Sequence, residues 1–341
     1  MPFRPEPEAA RGQPGRTGVL LCNLGTPAEP TAAATRRYLA EFLSDPRVVE
    51  IPPALWKPIL HGVILRTRPA KSAAKYQSIW TPEGSPLLVW SRKQLLGYLG
   101  ERGHDVSVRL AMRYGQPSIA SQLDELRARG CTRILVVPLY PQYSGTTTAS
   151  VVDAVADWAR GASHVPELRF VARFFDDPGY IRALSRVVLQ HWQAHGRPDK
   201  LVMSFHGVPQ RTVERGDPYY DECVATARLL AERLALRPHD WVLSFQSRFG
   251  KAKWVEPATQ AVLEQLGRAG TARVDVVCPG FVVDCLETLE EIAMEGRDAF
   301  QAAGGQAFHY LPCLNDDPVW LAALAEIVQD HLQGWPTRAR V

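Results

Sequence analysis

Short, almost continuously apolar runs alternate along the chain with longer segments in which apolar residues recur at helical spacing. Runs of this kind are typical of β-strands that are buried on both faces. The predicted strands are Thr17–Cys22, Val106–Met112, Arg133–Leu139, Leu168–Phe174, Leu201–Phe205, Trp241–Phe245, Val274–Cys278 and Phe308–Leu311. The predicted helices are Thr31–Leu43, Pro86–Leu99, Ile119–Ala128, Pro178–Gln193, Tyr220–Leu236, Pro257–Leu266, Leu286–Ala299 and Val319–Leu332. This alternation predicts βαβ units and parallel sheets.

Eight such strands fit either one TIM barrel or two doubly wound sheets of four. We favour two sheets, because the first two strands are too far apart for a regular barrel unit and the pattern restarts after a predicted linker at 195–198. The predicted fold is therefore α/β, with two doubly wound, Rossmann-like domains, each a four-stranded parallel sheet flanked by helices. The predicted parts are a disordered tail (1–16), a first domain (17–175) with an inserted lip (53–85), and a second domain (176–335).

Length and composition exclude several classes of protein. The chain has 341 residues, of which 46% are hydrophobic and 22% charged, and its formal net charge is +3. These values predict a normal buried core, and without a dense run of Lys or Arg they give no support for a nucleic-acid partner. The six cysteines include no CxxC pair, which disfavours disulfides, zinc sites and iron–sulfur clusters. Residues 1–16 do not read as a secretory signal, and no apolar run reaches the ~20 residues that span a bilayer.

Polar residues follow most of the predicted strands, and in doubly wound sheets ligands bind beyond the carboxyl ends of the strands. His206 directly follows the strand Leu201–Phe205 and precedes a glycine. A lone histidine near a strand end is more often structural than catalytic, and a position at the carboxyl edge of a parallel sheet strengthens the catalytic alternative. An imidazole there titrates near neutral pH and can transfer protons or bind a metal ion.

Three glutamates recur every four residues after the seventh strand, so that Glu287, Glu291 and Glu295 face one side of a helix. A solvated acidic face is the usual explanation of such a row. For Glu287, a second structural explanation is a capping box with Asp284. The functional alternative is a row of hard oxygen ligands that leads a divalent cation inward and, with one imidazole, binds Fe(II) loosely enough to release it. The residue types alone do not decide among these explanations.

Three further segments carry candidate binding groups. Arg113, with Tyr114, suits a substrate carboxylate, unless it is an ordinary surface arginine. Residues 143–148 combine hydroxyls and backbone amides that suit an anion, or else a threonine there caps the following helix. Residues 53–65 are apolar with few charges, and they form either an exposed lip for a membrane or an apolar substrate, or a buried helix. The sequence contains no nucleotide-binding glycine motif, so nucleotide cofactors have no support.

Several of these segments, in order, resemble the ferrochelatase family over about residues 18–327. One such motif would be unspecific, but their joint order and spacing make a chance agreement very improbable. The segments that carry the resemblance are Ser204-Phe-His-Gly-Val-Pro209 with Arg215-Gly-Asp-Pro-Tyr219, Asp284-Cys-Leu-Glu-Thr-Leu-Glu-Glu291, Asn23-Leu-Gly-Thr-Pro27, Gly84-Ser-Pro86, Met112-Arg-Tyr114, Pro141-Gln-Tyr-Ser144, and Gln246-Ser-Arg-Phe-Gly250 with Trp254.

The resemblance implies a metal chelatase of the lyase class that inserts Fe(II) into protoporphyrin IX, with release of two protons, to give protohaem in haem biosynthesis. It implies an active-site cleft between the two domains, Fe(II) as a substrate, and no organic cofactor. His206 is implied as the histidine that accepts pyrrole protons or binds the incoming metal, with Glu287 as its partner carboxylate. Glu291 and Glu295 are implied as further metal ligands on an acidic path to solvent. The implied substrate-binding residues are Leu24, Ser85, Arg113, Tyr114, Tyr143, Tyr219, Trp254 and Phe281.

Two positions depart from the pattern of some family members. Cys285 stands where some members have a histidine two residues before the catalytic glutamate, so a second histidine ligand is missing there. Gly145 stands where other members have a cysteine of a [2Fe–2S] cluster, and no cysteine follows Cys313. We therefore expect no cluster and, without the C-terminal extension that carries it in those members, a monomer.

The resemblance also implies a mechanism and a location. The pocket would hold the porphyrin in a bent shape that exposes its pyrrole nitrogens, and Fe(II) would pass from carboxylates into one face of the ring. The expected partners are porphyrin and ferrous iron, with no nucleic acid, in a cytoplasmic protein that has peripheral membrane contact through the lip at 53–68. Three alternatives stay open at this stage: coproporphyrin III as the substrate, insertion of another metal such as cobalt into a related tetrapyrrole, and a porphyrin carrier without catalysis.

Overall fold

The chain forms two units, each built around one parallel sheet. The computed structural model describes residues 3–5, 7, 15–99, 106–248, 250 and 252–337. Within these residues, the first unit comprises the chain up to Leu139, Gly145–Arg173, and the stretch that begins at Ala325. The second unit comprises Tyr140–Ser144 and Phe174–Leu324.

The first unit has four parallel strands in the order β2-β1-β3-β4 among its described residues. Residues 19–22 of the first strand have no exposed surface, because that strand lies between two others and helices pack on it. The strands are β1 (Arg16–Gly25), β2 (Val106–Tyr114), β3 (Cys131–Pro138) and β4 (Glu167–Phe170). The helices are α1 (Ala32–Phe42), α2 (Pro53–Ile59), the π-helix π1 (Leu60–Ile64), α3 (Leu65–Ile79), α4 (Pro86–Leu99), α5 (Ile119–Ala128), the π-helix π2 (Gly145–Ala149) and α6 (Ser150–Arg160).

The second unit repeats the arrangement, with four described parallel strands in the order β6-β5-β7-β8. Because parallel strands end at the same edge of a sheet, the residues that follow β5, β6 and β7 come together there. The strands are β5 (Lys200–His206), β6 (Trp241–Gln246), β7 (Arg273–Val277) and β8 (Ala307–Tyr310). The helices are α7 (Pro178–His195), α8 (Gln210–Glu214), α9 (Tyr219–Arg233), α10 (Thr259–Arg268), the π-helix π3 (Glu287–Gly296), α11 (Arg297–Ala302) and α12 (Pro318–His331), which ends in the first unit.

The predicted α/β class, with two parallel four-stranded sheets, is confirmed. Each predicted strand is present, because a run of apolar residues buried on both faces is a direct signature of a central parallel strand. The helix predicted over Leu286–Ala299 differs in type, since it runs as a π-helix as far as Gly296. A π-helix has i→i+5 hydrogen bonds and is rare in proteins. Where one does occur, it is frequently at a functional site.

The inserted lip is buried on one side and exposed on the other, so each of the two alternatives for it is partly correct. Leu60 and Leu65 are buried in a cluster with side chains of α1. Leu55, Ile59 and Val63 are exposed. The segment is therefore fixed to the first unit and still presents an apolar surface. Within the ranges that the structure describes, no helix combines the length and the apolar character that crossing a membrane requires.

The two units alternate along the chain, whereas the predicted division has one boundary between residues 175 and 176. The short stretch Tyr140–Ser144 belongs to the second unit, and the end of α12 belongs to the first. The sequence pattern does not show which unit these two segments pack in. Their hydrophobic and polar positions report only the local strand, helix or loop. The predicted disordered tail, residues 1–16, lies mostly outside the described residues, although Arg4 pairs with Ala162 and Arg16 begins β1.

Candidate active site

The ends of β5 and β6 place His206 beside Gln246, because these are the last residues of two paired strands. The His206 side chain is half-buried. Its Nδ1 lies 2.6 Å from the carbonyl oxygen of Gly207, and since a carbonyl oxygen only accepts, Nδ1 carries a proton. In the neutral imidazole, Nε2 therefore keeps its lone pair and can accept a proton or bind a metal ion.

The backbone that follows His206 is closely packed and requires a glycine. A Cβ atom at Gly207 would lie 2.7 Å from the carbonyl oxygen of Gln246 and 3.2 Å from Cε3 of Trp254. Trp254 is buried and pairs with Pro209 through a bridge of antiparallel type. A large aromatic ring is thereby held against the chain directly after the histidine.

Two further aromatic side chains lie close to His206. The ring centroids of Phe281 and His206 are 6.5 Å apart, with the ring planes inclined by 58°. Tyr219, the first residue of α9, is buried, and its hydroxyl makes a hydrogen bond with the backbone of His206. Burial, followed by the nearby Cys223, raises the pKa of Tyr219 well above its usual value, so the hydroxyl stays protonated. The structure thus brings His206 together with Tyr219, Trp254 and Phe281.

Helix π3 carries the three glutamates, and the last of them is the most exposed. Glu287 and Glu291 are half-buried, whereas Glu295 is exposed. The side-chain amide of Gln246 donates to the backbone carbonyl of Glu287 at 2.7 Å and lies 3.4 Å from Oε2 of Glu291. Gln246 also pairs with His206 in the sheet. Gln246 therefore contacts the histidine and the first two glutamates.

The structure does not contain a capping box between Asp284 and Glu287. The backbone N–H of Asp284 donates to Oδ1 of Asn315 at 2.9 Å, so it is not available to Glu287. The Asp284 carboxylate instead accepts from the hydroxyl of Tyr310 at 2.5 Å and from the amide of Asn315 at 2.7 Å. Asp284 therefore fixes the loop that leads into π3, and the capping explanation for Glu287 is wrong.

Gln246 and Ser247 are contacts of the site that were not among the predicted site residues. Ser247 follows β6 in the left-handed backbone region, with φ of 65°. Its backbone N–H and its hydroxyl donate to the two carboxylate oxygens of Glu291 at 2.6 and 2.5 Å. This pair of hydrogen bonds fixes the direction in which Glu291 points. The sequence signals for these contacts were the position of both residues at the end of a strand and their place in the motif Gln246-Ser-Arg-Phe-Gly250.

Cys285, one of the two positions that depart from the predicted family pattern, is a buried neutral thiol. Burial, with the nearby Glu287, raises its pKa well above the usual value. A thiol binds metal ions as the thiolate, so this environment disfavours Cys285 as a ligand. The six cysteines are all buried and free of disulfide bonds.

In the first unit, Arg113 and Tyr114 are held by Asp45. The Arg113 guanidinium, the Tyr114 hydroxyl and the Ser150 hydroxyl approach one oxygen of Asp45 at 2.6, 2.8 and 2.5 Å. Burial acts to raise the pKa of Asp45, but the hydrogen bonds from Ser150, the Arg47 backbone and Tyr114, with the charge of Arg113, lower it overall. Tyr114 has no exposed surface, so in this arrangement it presents nothing to a ligand, and Arg113 already has a carboxylate partner.

The remaining predicted substrate-binding residues are divided between the units. Leu24, near the end of β1, is half-buried, and Ser85 is buried with its hydroxyl accepting from Thr26 at 2.8 Å. Both belong to the first unit. Tyr143 belongs to the second unit, where it is half-buried and its backbone N–H donates to Glu222 at 2.7 Å.

The hydroxyl-rich segment after Tyr143 forms the π-helix π2 and then α6. Helix α6 begins after Ala149 without a hydrogen bond from a capping side chain. No threonine side chain therefore caps α6 at Ala149, and a threonine cap at the start of π2 stays an untested alternative. The other role of this segment, binding of an anion, stays a prediction.

Solved structures that share the fold include chelatases. The structure of SirB from Bacillus subtilis with Fe3+ has a TM-score of 0.53 and 12% sequence identity, and the match covers 95% of this chain and 100% of that chain. The sirohydrochlorin chelatase SirB from Bacillus subtilis subspecies spizizenii, in complex with cobalt, has a TM-score of 0.51 and 12% identity over 93% of this chain and 95% of that one. At this level of identity, the likeness shows the fold alone.

Sequence similarity shows the family. The ferrochelatase family model matches residues 16–332. Ferrochelatases from Methylibium petroleiphilum and Polaromonas sp. are 65% and 64% identical, each over 99% of this chain and 94% of their own length. The ferrochelatase from Bordetella pertussis is 59% identical over 95% of this chain and 90% of its own length. This chain therefore belongs to the ferrochelatase family, as its motifs predicted.

Proposed function

We propose that His206 and Glu287 carry out the reaction of this ferrochelatase, with protoporphyrin IX as the porphyrin and release of two protons. The family assignment gives the general reaction, which is insertion of iron into a porphyrin in haem biosynthesis. The observation that supports this assignment is that His206, Gln246 and the start of π3 meet at one edge of the second sheet. There, Gln246 pairs with His206 and donates to the backbone of Glu287.

The proposed path of iron follows the acidic side of π3. Glu295 is exposed, Glu291 is half-buried and oriented by Ser247, and Glu287 is half-buried at the start of the helix. Fe(II) is a substrate here, and carboxylate oxygens hold it loosely enough to pass it on. The free Nε2 of His206 accepts a pyrrole proton or receives the ion, and Glu287 shares the transfer of the two protons.

The proposed macrocycle site is lined by aromatic and apolar side chains. In the second unit, Trp254, Tyr219 and Phe281 gather around His206 and offer ring surfaces to a flat or bent porphyrin. We propose Leu24, Ser85 and Tyr143 as further contacts. Arg113 and Tyr114 then contribute through the network with Asp45 that fixes the end of β2.

Anaerobic mixing of the purified protein with protoporphyrin IX and Fe(II) tests this function. We expect porphyrin fluorescence to fall and haem absorbance to appear at a rate proportional to the enzyme concentration. Coproporphyrin III and Co(II) are assayed in parallel under the same conditions. Faster turnover of coproporphyrin would overturn the proposed substrate, faster insertion of cobalt would overturn the proposed metal, and binding of both porphyrins without insertion of either metal would indicate a carrier.

We also propose that the exposed side of the lip contacts a membrane surface. Leu55 is 64% exposed and Val63 is 54% exposed, and the exposed bases Arg66 and Arg68 follow them. Apolar side chains next to basic ones suit the interface of a membrane that carries anionic lipids. The contact is peripheral, because the lip inserts side chains and not a spanning helix.

Replacing both Leu55 and Val63 by Asp should weaken binding to vesicles of mixed anionic and neutral lipid by about tenfold or more. The reason is that burial of one such side chain contributes about 1.5–3 kcal/mol, and the new carboxylates are repelled by anionic lipid. Co-sedimentation with the vesicles measures the binding. Leu189→Asp is the matched control, because Leu189 is an exposed leucine outside the lip. Equal sedimentation of the double variant and the control would contradict the proposal.

The absence of an iron–sulfur cluster, the monomeric state and the cytoplasmic location stay predictions. The buried environment of the cysteines supports the first, since their thiols are shielded and burial raises the pKa of Cys278, Cys285 and Cys313. The visible spectrum and the acid-labile sulfide content of freshly purified protein test for a cluster. Analytical ultracentrifugation of the full chain measures the oligomeric state.

A further inference from the structure

A cluster of histidines surrounds a buried carboxylate at the opposite end of the second sheet from His206. Asp275, in β7, pairs in register with Leu201 at the start of β5, whereas His206 is the last residue of β5. Five residues of extended strand separate these two positions, which corresponds to about 16 Å. The cluster is therefore separate from the proposed site of iron insertion.

The Asp275 carboxylate has no exposed surface and is held in a fixed orientation. The Arg273 guanidinium donates to both of its oxygens, each at 2.9 Å, and Trp192 Nε1 donates to Oδ2 at 2.9 Å. Carboxylates that bind metal ions are typically oriented by hydrogen bonds of this kind from an outer shell. The arginine already balances the charge of Asp275, so the carboxylate does not need histidines to neutralise it.

Two imidazole nitrogens face the same carboxylate. Nε2 of His191, on α7, and Nδ1 of His309, on β8, are 2.9 Å apart, and each lies 3.6 Å from a different oxygen of Asp275. Ligand atoms of a tetrahedral zinc ion are about 3.3 Å apart, because the bonds are ~2.0–2.1 Å long. The three side chains thus have nearly the spacing of a metal-ligand set before any ion binds.

The two histidines are also in a form and a place that suit metal binding. Burial is the largest cause that lowers the pKa of both His191 and His309, which favours the neutral imidazole that acts as a ligand. Their side chains are 18% and 31% exposed, whereas the Asp275 side chain is fully buried. The ring of His195 stacks on His191 with centroids 4.4 Å apart and limits how far that imidazole can turn.

We propose that His191, His309 and Asp275 form a second metal site, which binds a divalent transition ion of the zinc and cobalt class. Two imidazoles and one carboxylate are a common set for such ions, and water completes the coordination on the exposed side. The three ligands come from α7, β7 and β8, so a bound ion links a helix to two strands and stabilises the second unit. The proposal does not depend on the assignment of His206 or Glu287.

Co(II) is the probe for the full-length, metal-free protein, because its visible absorption reports the ligands that surround it. We expect His191→Ala and His309→Ala each to weaken binding at this site by at least about tenfold, since even changes to outer-shell partners cost 10–100-fold in affinity. His239→Ala is the control, because His239 is 69% exposed and lies outside the cluster. His206→Ala should keep the signal.

Thermal unfolding with and without Zn2+ gives a second readout and shows whether the variants are folded. At limiting Zn2+, the rise in the unfolding temperature should be clearly larger for the wild type and His239→Ala than for His191→Ala and His309→Ala, each compared with its own metal-free value. A Co(II) spectrum and a Zn2+ shift in His309→Ala equal to those of the wild type would overturn the proposal. Loss of both signals in His206→Ala alone would also overturn it, because the ion would then occupy the other site.

Discussion

His206→Ala should lower the rate of iron insertion by roughly 10²–10⁴-fold while porphyrin binding is retained. This is the usual effect of removing a general acid or base, and removal of a metal ligand would act in the same direction. The Nδ1–H of His206 is committed to the carbonyl of Gly207, so Nε2 is the nitrogen with a free lone pair. The half-buried ring also has Phe281 as a neighbour, with the two ring centroids 6.5 Å apart.

The measurement is the anaerobic loss of porphyrin fluorescence, with binding measured separately by quenching in the absence of metal. His239→Ala serves as the matched control, since it removes an exposed histidine whose neighbour is Asp240. A His206→Ala enzyme that inserts iron at the rate of this control would remove His206 from the mechanism. A variant that no longer binds porphyrin would show instead that the histidine acts in substrate binding.

The strands were the part of the fold most accessible to sequence reasoning. A central parallel strand must be apolar on both faces, so β1 and β5 stand out as nearly unbroken apolar runs. The two sheets and the position of His206 at a strand end follow from that signal together with the rule for ligands in doubly wound sheets. The division into units was harder to predict. The stretch Tyr140–Ser144 lies in the second unit and the end of α12 lies in the first, and neither assignment changes the local hydrophobic pattern.

Contacts between side chains that are distant in the sequence could not be predicted from the sequence pattern. Arg113 looked free for a substrate carboxylate, yet its partner Asp45 lies 68 positions earlier in the chain. The spacing of Asp284 and Glu287 suggested a capping box, but Asn315 takes the backbone N–H that the box requires. Local spacing gives the candidates for an interaction, and only the packed structure decides among them.

The row of glutamates shows what the sequence pattern can and cannot predict. A four-residue repeat predicts one face in an α-helix, but it says nothing about which of the three carboxylates is buried or oriented. The structure supplies that order, through the contacts of Gln246 and Ser247 with π3. Ser247 has a positive φ, which is uncommon for serine and therefore has no sequence signature.

Substitution of the three glutamates by glutamine, one at a time, should give effects that decrease toward solvent. Glu287→Gln should lower kcat by about 10²-fold or more, because a half-buried carboxylate that transfers protons is replaced by an amide that cannot. Glu291→Gln should have an intermediate effect, since the new amide group places a donor against the N–H or hydroxyl of Ser247. Glu295→Gln should change only the apparent KM for Fe(II), by up to about fivefold, because an exposed carboxylate contributes about 1 kcal/mol or less.

Steady-state insertion rates at several iron concentrations separate the kcat effect from the KM effect, and repeating them at higher salt tests the exposed position. The Glu295 effect should disappear as salt screens its charge, whereas the Glu287 effect should remain. Asp298→Asn is the matched control, since Asp298 follows π3 and its side chain is 68% exposed. If all three glutamine variants behave like Asp298→Asn, the row is a solvated acidic face. A graded series that begins with loss of kcat at Glu287 supports an ordered path along which iron gives up water to successive carboxylates before it reaches His206.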